Sequence, residues 1–126
     1  NTVLEEITTG LRRTKQHAEA ESILRGIGLW GYRNFSPYML SQGQQRRLGV
    51  ASLLTYDCQV LICDEPTYAQ DWKNTTAIMD SLVKEVTERG MTLLFSTHDR
   101  KLTHDYADVT LTLKEGELIE YAKPGL

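Results

Sequence analysis

The 126-residue sequence contains no G-x-x-x-x-G-K-[ST] run. It therefore lacks the loop whose backbone N–H groups and lysine cradle the β- and γ-phosphates of a nucleotide. It has two cysteines, Cys58 and Cys63, set close around the apolar run Val60-Leu61-Ile62. That excludes a disulfide framework or a four-ligand zinc site and leaves two reduced thiols as the expectation. No apolar stretch approaches the roughly 20 residues that span a bilayer, and Asn1 opens no signal-peptide pattern, so any membrane role must pass through a partner. A start at Asn1 rather than Met fits a processed or truncated product. Positive charge is not in excess either: 14 Lys and Arg stand against 17 Asp and Glu, for a net charge of −3, and no nucleic-acid partner is expected. No internal repeat or low-complexity segment is present. What remains, 40% hydrophobic and 25% charged residues, is ordinary for a globular chain with one hydrophobic core.

Thr2-Val3-Leu4-Glu5 places a hydroxyl three residues ahead of a carboxylate, a capping box that predicts a helix from Val3 toward Gly10. Ala18, Ile23, Leu24 and Ile27 approximate a helical stripe within residues 14–28, and Gly28 is a natural stop. A short turn over residues 30–35 leads to the Ser36-Pro37 break, so residues 1–37 read as a small helical lobe. Ser41 caps the next helix with Gln44 at the reciprocal position, and Leu48, Ala51, Ser52 and Leu54 carry it to about Tyr56.

From there the pattern changes to strand-helix alternation. Val60 to Cys63 is too short an apolar run for a helix and suits a buried parallel strand. Ile78, Met79, Leu82 and Val86 recur at helical spacing between Asp71 and Arg89, with Gly90 ending that helix. Residues 92–97 form the next strand, 101–106 a short helix and 109–113 another strand. Glu115-Gly116 makes a tight turn into a terminal hairpin over residues 117–121. The alternation predicts an α/β layer on a mainly parallel sheet.

Several residues in this frame can carry chemistry. Ser41 and Gly43 open a helix, where unpaired N–H groups and the positive end of the macrodipole suit an anion such as a γ-phosphate. A capped helix with no ligand explains the same residues when they are taken alone. Asp64 ends an apolar strand, a position from which a carboxylate can hold Mg2+ and its waters. Glu65 follows at once and is expected to point in a different direction, so that one carboxylate can serve the metal while the other orients or deprotonates an attacking water. His98 follows the strand Leu93-Leu94-Phe95 and is expected at the same sheet edge. Asp71 opens a helix, either as its N-cap or at a subunit boundary. Arg46 and Arg47 read as solvated or paired groups on a helix flank, and His17 and His104 receive no role.

In order and spacing, with 23 residues from Ser41 to Asp64 and 34 from Asp64 to His98, these residues resemble the second half of an ABC-type ATPase. Leu40, Ser41, Gln42, Gly43 and Gln44 are similar to its signature motif, residues 60–65 to its Walker B segment, the residues around Asp71 to its D-loop, and His98 to its switch histidine. The runs Thr2 to Ile7, Gln42 to Leu48 and Asp64 to Asp71 resemble energy-coupling-factor and cobalt-type importer ATPases. The resemblance implies a partial P-loop NTPase core with a C-terminal hairpin plus a helical subdomain. The division it suggests is residues 1–56 for the helical subdomain with its signature helix and 57–126 for part of the nucleotide-binding core.

It further implies ATP and Mg2+ as cofactors, Asp64 at the metal, Glu65 as general base and His98 as sensor of the γ-phosphate. Leu40 to Gln44 would touch the nucleotide of a second ATPase subunit, in a homo- or heterodimer. Transmembrane subunits would receive the motion at the cytoplasmic face of the membrane. Two positions depart from the family: Gln42 replaces the commoner Gly of the signature, and Ala69 stands where Gly is frequent. Two other readings share these residues. One is a noncatalytic module that supplies signature residues in trans. The other is the C-terminal lobe of a chromosome-maintenance or DNA-repair ATPase, against which Gly10, Gly26, Gly28, Gly31 and Pro37 interrupt any coiled-coil heptad. A parallel sheet without its first strands is expected to expose an apolar edge and face, and to leave the isolated chain marginal or self-associating.

Overall fold

Residues 1–10 and 16–122 are described by a computed structural model, and their packing separates into two units, one from Asn1 to Ser96 and one beginning at Thr97. In the first unit, helix α1 (Val3–Gly10) starts where Thr2 Oγ1 accepts the Glu5 amide at 3.2 Å. Helix α2 is described over Gln16–Gly26; its expected start at Thr14 and the side chain of His17 lie outside the described residues. The buried stripe of α2 is Ala20, Ile23, Leu24 and Ile27. Ala18, which the periodicity assigned to that stripe, is exposed, because two residues before Ala20 the helix has turned about half a revolution to the opposite face. Gly28 adopts φ +74°, and the Leu29 amide returns to the Leu24 carbonyl at 2.8 Å, a Schellman closure that only a residue tolerant of the left-handed region makes cheaply.

After 3-10 turns at Trp30–Tyr32 and Pro37–Met39, helix α3 runs over Gln42–Leu53. Helix α4 spans Trp72–Glu88 and buries Thr75, Ile78, Met79, Leu82 and Val86. These helices pack around a core of Val3, Ile7, Leu24, Ile27, Leu48, Ala51, Ile78, Met79 and Leu82, all buried. Each large apolar side chain contributes roughly 1.5–3 kcal/mol by leaving water. The Arg89 guanidinium donates to the carbonyls of Leu54 and Tyr56, tying the end of α4 to the exit of α3.

Strands β1 (Val60–Asp64) and β2 (Thr92–Ser96) pair in parallel, joined through α4, in a register that sets Val60 against Thr92 and Asp64 against Ser96. The expectation of a fully buried β1 is corrected: Leu61 and Cys63 are buried, while Val60 and Ile62 are exposed. Side chains alternate across a strand, and the helices of this unit cover only one face of the pair. Leu94 of β2 is likewise exposed, so an apolar face stands open.

In the second unit Asp99 caps helix α5 (Arg100–Tyr106), its Oδ1 accepting the Lys101 amide at 2.9 Å. Strands β3 (Thr110–Lys114) and β4 (Glu117–Ala122) form an antiparallel hairpin with an irregularity between Thr112 and Leu113. Glu115 and Gly116 turn with φ of +52° and +79°, both positive as a two-residue I′ connection requires. Residues 123–126 lie outside the described residues. No helix among the described residues is long and apolar enough to cross a membrane.

Candidate functional site

The opening of α3 is held by its own side chains. Ser41 Oγ accepts the Gln44 amide at 3.2 Å, and Gln44 Oε1 accepts the Ser41 amide at 2.9 Å, the reciprocal box expected from the sequence. Leu40 just ahead is buried, and Gln45 Nε2 donates to the carbonyls of Pro37 and Leu40 at 3.1 and 3.4 Å. Ser41 and Gln42 are exposed and Gly43 half-buried; burial in α3 begins only at Arg47. Among the described residues nothing requires glycine at position 43. Its φ is not positive, and a Cβ there would meet only the Gln70 side chain, at 3.8 Å or beyond, an ordinary contact. A glycine inside a helix costs roughly 0.5–1 kcal/mol relative to alanine.

Asp64 and Glu65 lie at the C-terminal end of β1, and one hydroxyl organises both. Ser96, opposite Asp64 in the register, donates from Oγ to Asp64 Oδ1 at 2.5 Å and accepts the Glu65 amide at 3.0 Å. Sequence reasoning passed over Ser96; the signal was a lone hydroxyl ending an apolar strand whose parallel partner ends in a carboxylate. Glu65 leaves the strand in the left-handed region, at φ +47°. For a residue with a Cβ this stores roughly 1–3 kcal/mol, of the kind that surrounding hydrogen bonds must hold in place. Ala69 has φ +60°, which gives the reason a glycine would be at ease there.

Beyond them, Asp71 is the N-cap of α4, its Oδ1 accepting the Asn74 amide at 2.7 Å. Arg46 and Arg47 part company. Arg46 is exposed, 4.9 Å over the Tyr68 ring, with Nη2 3.5 Å from the Glu65 carbonyl. Arg47 is the paired case of the two alternatives and is buried, donating from Nε to the Ile27 carbonyl at 3.0 Å and from Nη1 to Gln70 Oε1 at 3.1 Å. Burial lowers its pKa from the ordinary arginine value, and the Asp71 carboxylate, with a lesser effect of Tyr32, acts in the opposite sense. Gln70 Nε2 completes the set by donating to the Gly43 carbonyl at 3.1 Å. Burial pushes the Cys63 thiol up, which keeps it neutral and inert beside Asp64.

Ser41, Gly43, Asp64, Glu65 and Asp71 thus all belong to the first unit, joined through Ser96, Gln70 and the two arginines. His98 belongs to the second unit, exposed in the loop two residues past β2, where the Asp99 amide donates to Thr97 Oγ1 at 3.0 Å. Among the described residues no three or more His, Cys, Asp or Glu side chains gather as a metal cage. A single strand-end carboxylate fits instead a hard cation that keeps waters and phosphate oxygens as most of its ligands, as Mg2+ does.

The comparisons with known proteins converge. The ABC transporter family model matches residues 1–68. A Streptococcus pneumoniae protein named as an ABC transporter ATP-binding protein is 38% identical over 129 residues, covering 98% of this chain and 23% of that protein. A Bacillus subtilis protein named as an HMP/thiamine import ATP-binding protein is 34% identical over 91% of this chain and 21% of its own length. The solved structure of cbiO1 from Clostridium perfringens, described as part of the ABC transporter complex cbiONQ, superposes with a TM-score of 0.77 at 29% identity, over 98% of this chain and 51% of that one. The chain therefore spans about a quarter of the length of the curated relatives it matches. With a signature-like helix opening, a carboxylate pair at the end of a parallel strand, a matching family model and relatives of more than 30% identity along nearly its whole length, this chain belongs to the ABC transporter ATP-binding family.

Proposed function

We propose that this chain is part of the ATP-hydrolysing motor subunit of an importer of the energy-coupling-factor or cobalt type. In this reading residues 1–56 act as the helical subdomain with the signature helix and residues 57–126 as a portion of the nucleotide-binding core, a division by role. The observation that carries it is the Ser96 staple. One hydroxyl orients Asp64 and fixes the Glu65 amide, so a metal-facing carboxylate and a second carboxylate are held at one strand end. The names of the relatives, one an import ATP-binding protein and one part of an ABC transporter complex, favour transport over chromosome maintenance.

Asp64 would hold Mg2+, which when bound supplies charge neutralisation for the β- and γ-phosphates of ATP. Glu65 takes a proton from the attacking water as its oxygen bonds to the γ-phosphorus and the bond to the ADP oxygen breaks. His98 meets the γ-phosphate. Leu40, Ser41, Gln42, Gly43 and Gln44 present their helix opening to a nucleotide held by a second ATPase subunit, and Asp71 lies at the boundary between the two. Transmembrane subunits at the cytoplasmic face receive the motion. Because the sequence contains no phosphate loop, this chain by itself hydrolyses no ATP and works with a segment or partner that carries one.

The test is Glu65→Gln in the complete protein. Turnover falls by about 10²–10⁴-fold while ATP binding persists; undiminished hydrolysis overturns the assignment. The absent phosphate loop also favours a module that donates signature residues in trans. For that reading, ATPase activity of a phosphate-loop partner rises on mixing with this chain, and no stimulation at saturation rejects it.

A further inference from the structure

The side chain of Gln70 belongs to none of the roles above, yet it joins two of the segments that carry them. Its Oε1 accepts Arg47 Nη1 at 3.1 Å and its Nε2 donates to the Gly43 carbonyl at 3.1 Å. Arg47 is buried and anchored at its other side on the Ile27 carbonyl at 3.0 Å. The Gly43–Gln44 peptide is therefore gripped at both ends: its carbonyl by Gln70, and its N–H by Ser41 Oγ at 3.2 Å. Gln70 also directly precedes Asp71, the cap of α4. A primary amide offers a donor and an acceptor side by side; an ionised carboxylate has no donor and an alkyl chain has neither.

We infer that Gln70 is a positioning residue that clamps the opening of the signature helix to the loop ahead of Asp71, so that the two segments presented to a partner's nucleotide move as one body. The inference rests on the functional reading above. Arg46, stacked on Tyr68 and near the Glu65 carbonyl, braces the same helix and loop from the exposed side. The clamp sets where Ser41 and Gly43 stand, and so acts on turnover rather than on the binding of ATP to the subunit's own phosphate loop.

The experiment uses the complete protein, assembled with whichever polypeptide carries the phosphate loop. Steady-state ATP hydrolysis, binding of a fluorescent ATP analogue and thermal unfolding are measured for Gln70→Leu and Gln70→Glu, with Glu65→Gln as control. Both Gln70 variants are expected to lose about tenfold in kcat, the scale of one lost hydrogen bond in a positioned site, with analogue affinity unchanged within about twofold. Gln70→Glu is the decisive variant, because it keeps and charges the acceptor for Arg47 while replacing the bond to Gly43 with an oxygen that faces the carbonyl; it also decides if the leucine variant fails to fold. Wild-type kcat in Gln70→Glu overturns the inference, as does a lowered unfolding temperature with unchanged kcat per folded molecule. If Glu65→Gln still hydrolyses ATP, the functional reading itself fails; if it is dead and Gln70→Glu is fully active, only the clamp fails.

Discussion

The helices α3 and α4 begin alike and for different reasons. Each has an N-cap oxygen, from Ser41 or Asp71, accepting an amide three residues on. Behind the α4 cap, burial starts almost at once with Thr75, Ile78 and Met79, so the chain's own core explains why that helix is there. Behind the α3 cap come Gln42, Gly43, Gln44 and Gln45, with nothing buried before Arg47 and a glycine that neither φ nor packing requires. One helix start is accounted for by folding; the other carries a cost that folding does not explain. Such a mismatch between local preference and local structure supports the proposal that α3 opens toward an external ligand.

Substitutions can break that contrast. The largest effect is expected from Leu82→Ala, which empties the fully buried anchor of α4 and should cost about 2–5 kcal/mol in urea unfolding of the complete protein. Next is Gly43→Ala. If α3 opens for a ligand, the protein gains about 0.5–1 kcal/mol of stability from the better helix former while ATP turnover drops by about 10²-fold. A variant both more stable and fully active would make the two helix starts equivalent. Ser41→Ala and Asp71→Ala should each lose about 1 kcal/mol of stability with their caps. Asp71→Asn keeps the cap, so a change in turnover at unchanged unfolding temperature isolates a boundary role for that carboxylate. The smallest effect is expected from Ala69→Gly, which should stabilise by up to about 1 kcal/mol by relieving the positive φ, read as a small rise in unfolding temperature.

Much of this was legible in the sequence because it was local. The Ser41/Gln44 box, the Gly28 and Gly90 stops, the Glu115-Gly116 turn and the α4 stripe each depend on residues a few positions apart, and each stands where its pattern put it. The misplaced Ala18 shows the limit of periodicity, since a short polar helix offers two overlapping stripes and only its neighbours select one. The half-buried β1 has a similar cause: an apolar run fixes strand formation but not how many layers cover it. Ser96, Gln70 and the burial of Arg47 could not be read at all, because their partners lie 20 to 32 positions away and are found only through strand register and helix packing.

The Ser96 staple has a consequence for how correctly folded molecules are told from misfolded ones. Ser96 meets Asp64 only in the observed pairing of β1 with β2. A slip of one residue would bring Phe95 or Thr97 to that carboxylate and turn the other side of the strand toward the helices. The carboxylate pair is thus assembled by the same alignment that buries Leu61 and Cys63. Under the roles proposed for Asp64 and Glu65, misregistered molecules of the complete protein would be chemically silent as well as unstable, and turnover per molecule would serve as a readout of folding fidelity.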